Sequence, residues 1–291
     1  MQTANEYLIE NRLQEDPSLH QLMRASLFAI GRMLQSYAVR FPSFTDHSML
    51  HSLNVLRYCN CLVGRDGIAG LNAQECYVLI MSCYLHDIGM GIGDRDYAAF
   101  FRDVVPESWI GAHPDADEAD VVRSFHQEFS GRIIQKYAGV FEIPEEYVFP
   151  IVQVSRGHRK TDLFDEREYP VLTTHKGILR LPYLAAVIRL ADELDWEKDR
   201  NPDLLFRDVE LRTRMDYEIF GIHESIQNIH VDEEKIVLTV KPKTPEFLPL
   251  VEELAQKIDR TLAYCKKVAE KCAGLRITQE KVEMILPENA L

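Results

Sequence analysis

Tyr84-Leu85-His86-Asp87-Ile88-Gly89-Met90 ends a strongly apolar run on two adjacent metal-capable side chains and then turns on glycine. Upstream, Asn72 followed three residues later by Glu75 has capping-box spacing, so a helix is expected from there through the apolar residues 77–85 to His86-Asp87. The glycine-rich residues 89–93 stop that helix. They lack the G-x-x-x-x-G-K-[ST] pattern and read as a turn, not a nucleotide loop.

Other segments of helical character carry the same two side-chain types. His51 lies in His51-Ser52-Leu53-Asn54-Val55, His126 in Phe125-His126-Gln127-Glu128, His158 after an apolar helix ending Arg156-Gly157, and Asp192 in Arg189-Leu190-Ala191-Asp192-Glu193. One histidine closing an apolar helix is ordinarily structural; here the set carries the reading. Mixed imidazole and carboxylate donors suit Mn, Fe, Zn or Ni, whereas Mg prefers an all-oxygen shell, so these residues favour a transition metal. His47, one turn before His51, is a candidate to orient a ligand, hold a substrate or protonate a leaving oxygen. Arg156, Arg159 and Lys160 flank His158, and Arg189 sits three residues before Asp192. A guanidinium fork matches two phosphate oxygens, which makes these the candidate phosphate contacts. Trp109 and Trp196 could stack a base, with core or edge packing the commoner role of such residues, and His113, His175, His223 and His230 have no motif context.

The order His, His-Asp, His, His, Asp resembles the HD superfamily of metal-dependent phosphohydrolases over about residues 45–196. The resemblance implies a mainly α fold, an HD-type helical bundle, holding one or two divalent ions, with Mn or Fe favoured and Zn, Ni or Mg open. His51, His86, Asp87 and Asp192 would surround one ion, and His126 and His158 the second, with Asp87 bridging. It further implies phosphomonoesterase, phosphodiesterase or nucleotide phosphohydrolase chemistry on a nucleotide or related phosphorylated small molecule. The attacking water would have its pKa lowered from about 15.7 toward about 7 by the ions. Asp87 would then be catalytic, with His47, Arg156, Arg159 and Arg189 around the phosphate. Two alternatives stand beside this reading: a diiron oxygenase, which uses the same ligand set, and a non-catalytic ligand-sensing or protein-interaction module. Ile88-Gly89 stands where hydrolases of the guanosine tetraphosphate alarmone carry two acidic residues, and Met90 where the cyclic-dinucleotide branch carries lysine. The run is more similar to stand-alone HD modules that also occur fused to chaperone-like ATPases.

The 291 residues carry 33 Lys and Arg against 46 Asp and Glu, a net charge of -13. That balance argues against non-specific nucleic-acid or anionic-membrane binding. It leaves room for an anionic substrate, because two divalent ions outweigh two ligand aspartates locally. The six cysteines lack paired C-x-x-C spacing and read as reduced core residues. The longest apolar stretch, residues 77–85, is too short to span a bilayer, and a cytoplasmic location is expected.

Three units are expected along the chain. Residues 1–44 form helices broken near Pro17 that pack on the core, residues 45–215 the helical metal-binding domain, and residues 216–291 a small C-terminal α+β appendage. Within the core, Asp46 is expected to cap a helix closing at Gly64, and residues 106–120, rich in turn formers, to form a loop over the site mouth. Helices are expected over residues 121–137, 144–156 and 181–195. In the appendage, alternating Ile236, Leu238 and Val240 and residues 282–286 read as strands. Between them an amphipathic helix carries Phe247, Val251, Leu254, Ile258, Leu262 and Cys265 on one stripe, which either covers its own strands or builds a homodimer face.

Overall fold

The computed structural model describes residues 8–41, 47–196 and 214–287. Its centre is helix α5 (Ala73–Leu85), buried along nearly its whole length. The expected capping box is formed: the Asn72 side chain accepts from the Glu75 N–H, and Glu75 accepts in return from the Asn72 N–H. Around α5 pack α1 (Leu8–Leu13), α2 (Pro17–Leu34), α4 (Met49–Ala69), α9 (Glu145–Arg156) and α10 (Leu181–Asp192). A helix apolar on all sides has to be enclosed by others, and that requirement builds the mainly α bundle.

The remaining core helices are α3 (Tyr37–Arg40), α6 (Asp94–Val104), α7 (Glu107–Ala112) and α8 (Glu118–Tyr137). Several expectations are corrected here. The expected cap Asp46 lies outside the described residues; Ser48 caps α4, accepting from the Leu50 N–H. α4 does not close at Gly64 but runs on to Ala69, with Gly64 at φ 66°, ψ 172° breaking the helical path. Glycine takes that positive φ without a Cβ clash, so the chain bends and resumes. Residues 106–120 do not form a loop over the site: Pro106 opens α7, and Asp117 caps α8 by accepting from the Asp120 N–H. α10 stops at Asp192, three residues before the expected end.

Two small sheets complete the fold. A hairpin of β1 (Val171–Thr174) and β2 (Gly177–Arg180), not foreseen from the sequence, pairs Val171 with Arg180 and Thr174 with Gly177. Beyond α11 (Arg214–Ser225), β3 (Ile226–Val231) pairs antiparallel with β4 (Lys235–Val240), and β4 pairs parallel with β5 (Lys281–Ile285). A parallel pair needs a long crossover; α12 (Leu248–Ala273) supplies it. Its apolar stripe, Val251, Leu254, Ile258, Leu262, Cys265 and Val268, is buried within the chain, packed chiefly on α10. The α+β part is thus fastened to the helix that carries Asp192. The expected division at residues 215/216 adjoins residues 197–213, outside the described residues. Among the described residues no single helix is long and apolar enough to cross a membrane. The six cysteines, all within the described residues, form no disulfide with one another.

Candidate metal centre

His86 is the residue that closes α5, and His158 follows the end of α9. The last four carbonyls of a helix have no partner within it. Both histidines use one: His86 Nδ1 lies 3.0 Å from the Cys83 carbonyl and His158 Nδ1 2.6 Å from that of Ser155. His126 repeats the contact on α8, its Nδ1 2.9 Å from the Arg123 carbonyl, one residue after Phe125 interrupts the helix at φ -126°, ψ 15°. A carbonyl carries no proton, so each Nδ1 is the donor and each Nε2 is left with a lone pair. His51 reaches the same state another way, with its Nδ1 2.5 Å from Asp195 Oδ2. Asn54 donates to the other oxygen of Asp195 at 3.1 Å.

Those four lone pairs converge. His51 Nε2 lies 3.1 Å from His86 Nε2, and His126 Nε2 lies 3.0 Å from His158 Nε2. Lone pairs facing each other at that separation in a buried site need positive charge between them, whether a proton or a metal ion. Carboxylates meet the same points. Asp192 Oδ1 is 3.3 Å from His51 Nε2 and 3.6 Å from His86 Nε2. Asp87 divides its oxygens between the two groups: Oδ2 is 3.3 Å from both His51 and His86, while Oδ1 is 3.3 Å from His126 and 3.5 Å from His158. Two donor triads result, His51–His86–Asp192 and Asp87–His126–His158, with ligand atoms within 4.8 Å of one another in each. The donor set fits two divalent transition ions, with Asp87 placed to join them.

The electrostatics agree with that fit. Burial opposes charge on Asp87 and Asp192, yet the surrounding imidazoles outweigh it and hold both carboxyls well below their usual range. Burial likewise opposes charge on His86, but Asp87 and Asp192 raise it well above the ordinary imidazole value. His158 is held well below that value by burial and by the nearby His86, and burial lowers His126. The two carboxylates therefore favour positive charge at His86, while burial favours the neutral, ligating form of His126 and His158.

The turn between the two halves is set by α8. Ser130 Oγ donates to the His86 carbonyl at 2.6 Å and accepts from the Gly89 N–H at 2.9 Å. A Cβ on residue 89 would lie 2.3 Å from the His126 carbonyl oxygen, so glycine is what lets α8 come close enough for His126 to reach Asp87. A further partner is His47, whose Nε2 is 3.7 Å from Asp87 Oδ2 and whose ring lies 5.5 Å from that of His51.

A family model described as HD-CE matches residues 41–269, more than three quarters of the chain and all of the metal-capable residues. The chain belongs to the HD-CE family. Comparison with curated proteins and with solved structures returns no match. The HD-CE match extends through most of α12, which fits the packing of that helix on α10.

Above the candidate metal centre opens a cavity of about 270 Å³, reached by Asp87, His126 and Asp192 and walled by His47, Met90, Arg123, Arg159, Glu193, Trp196, Ile219, His223 and Lys257. Of the expected phosphate contacts, Arg159 is there. Arg156 is not: it forks onto Glu128 at 2.9 and 3.0 Å and reaches Glu168 at 3.1 Å, and it lines neither this cavity nor the one beside it. Arg189 is turned toward the loop after α9, donating to the carbonyls of Gly157 at 2.7 Å and Thr161 at 2.8 Å, and so braces the segment that carries His158 and Arg159. Trp196, read above as a stacking or packing residue, and His223, unassigned there, stack with centroids 4.7 Å apart and form one wall. Asp195 was missed altogether. Its sequence signal is its place three residues after Asp192, the return interval of one helical turn.

Proposed function

We propose that this protein is a metal-dependent phosphohydrolase that cleaves a phosphate ester or anhydride bond in a nucleotide or related phosphorylated small molecule. The observation that carries the reading is the pair of donor triads joined through the two oxygens of Asp87. Bound divalent ions supply Lewis acidity toward a phosphoryl oxygen and a water acidic enough to attack at neutral pH. His51, His86 and Asp192 would hold one and His126 and His158 the other. The protein contributes orientation: Asp195 and three backbone carbonyls lock the imidazoles so that no ring has to turn when a ligand arrives.

Around that centre, Arg159 is positioned to take phosphoryl oxygens by a guanidinium fork. His47, at the cavity wall beside Asp87, is placed to give a proton to the leaving oxygen. The stacked Trp196 and His223, with Ile219, offer a flat, largely apolar face suited to a nucleobase. Arg159 in the cavity wall supports a phosphorylated substrate over the dioxygen chemistry that the same ligands serve in a diiron oxygenase, which oxygen consumption and a strict iron requirement would reveal.

The test is a screen for phosphate release from phosphorylated metabolites, using protein stripped of metal and reloaded with Mn²⁺ or Fe²⁺. Turnover is expected with at least one compound. His86→Ala and Asp87→Ala are each expected to lower it about a thousandfold, roughly 4 kcal/mol of transition-state stabilisation, with helical circular dichroism retained. Undiminished turnover in either variant would remove the site from the chemistry.

A further inference from the structure

Beside the cavity over the metal centre lies a second, of about 260 Å³, and the two share Arg159, Asp192, Glu193 and Lys257 in their walls. The second is cationic: Arg159, Lys160, Arg189, Lys257 and Arg260 face only two carboxylates, in a chain whose net charge is -13. Two of the five are committed within the protein. Arg189 braces the loop after α9, and Lys257 pairs with Glu193 at 2.5 Å. Arg159, Lys160 and Arg260 make no side-chain hydrogen bond or ion pair among the described residues. Lys160 and Arg260 are exposed and Arg159 is half-buried, so all three charges are open to a ligand entering the cavity. Three cations from two different elements, the loop after α9 and helix α12, line one cavity, and none of them is ion-paired among the described residues. Like charges gathered in one concave wall repel, and a polyanion relieves that repulsion.

We infer that Arg159, Lys160 and Arg260 form a second anionic subsite, and that the substrate carries a further phosphoryl group beyond the one placed at the metal centre. This rests on the phosphohydrolase reading for the substrate's first phosphate, but the subsite itself owes nothing to a metal. Arg159 belongs to both walls and would contact both groups. The assignment also accounts for the α+β part: by packing α12 on α10 it carries Arg260 to the rim of the site.

The test uses the full chain, stripped of metal with chelator, and tripolyphosphate as the probe, with affinity measured by calorimetry at low ionic strength. Wild-type protein is expected to bind it. Lys160→Glu combined with Arg260→Glu is expected to lower affinity at least tenfold. The control, Lys267→Glu combined with Lys271→Glu, makes the same change of charge further along α12 and is expected to lower it less than twofold. No binding by wild type, no fall in the first double variant, or an equal fall in both would overturn the subsite. Thermal midpoints within a few degrees for all three proteins show that folding is not the cause. Because no metal is present, failure here leaves the hydrolytic reading standing, and a protein that never loads metal leaves the subsite standing.

Discussion

The side chain on which the first donor triad depends is Asp195, which ligates nothing. Its carboxylate, fully buried, takes the Nδ1–H of His51 and so directs the lone pair of Nε2 inward. Asp195→Asn keeps the shape but removes the charge that makes His51 a better donor, and is expected to weaken metal binding about 10–100-fold with the fold intact. A metal titration followed by calorimetry checks it; an unchanged dissociation constant would show that His51 is oriented by something else. The residues that converge were legible because His86-Asp87 sits at the end of an unusually apolar helix and four other positions repeat its chemistry. Asp195 was not: its spacing from Asp192 is the one local hint, and the imidazole it holds lies 144 residues away. Arg156 misled for the converse reason: its neighbours in sequence face the site, but Glu128 and Glu168, remote in sequence, hold its guanidinium elsewhere.

Among the elements, α5 decides whether the site exists, because its C-terminal end presents His86 and Asp87. Its N-terminal end is anchored by Glu75, whose buried carboxylate completes the capping box and pairs with Arg180, from Nε at 2.7 Å and Nη2 at 2.5 Å. Arg180 Nη2 also donates to the Gly70 carbonyl, so the hairpin β1–β2 is tied to the start of α5. Glu75→Ala leaves the Arg180 guanidinium without its carboxylate and removes one half of the capping box, the Asn72 cap itself remaining. Such a loss costs about 3 kcal/mol, read as a lower midpoint in urea at unchanged m-value. A shift below about 0.5 kcal/mol would mean that Arg180 finds water at no cost. The capping box was readable from Asn72 and Glu75. The hairpin was not: its strands are four residues each and mostly half-buried or exposed, too short for a pattern to announce them. Residues 106–120 looked like a loop for a related reason. Their Pro and Asp residues start helices as readily as they form turns, and Pro106 and Asp117 do start them.

For the molecule as a whole, the bundle and the appended sheet act as one structure, because the buried stripe of α12 lies on α10 and the two sides meet over the metal centre. The stripe was plain in the sequence; its destination was not, since periodicity shows that a face is apolar and says nothing of what covers it. The central claim is that residues from α4, α5, α8, α10 and the loop after α9 form a single centre with two metal positions sharing Asp87. Elemental analysis of protein reloaded with Mn²⁺ and freed of excess ion tests it most directly, comparing wild type with His126→Ala. The account predicts close to two ions per chain in the wild type and about one in the variant. A wild type that retains no metal, or a variant that retains as much as the wild type, would contradict it.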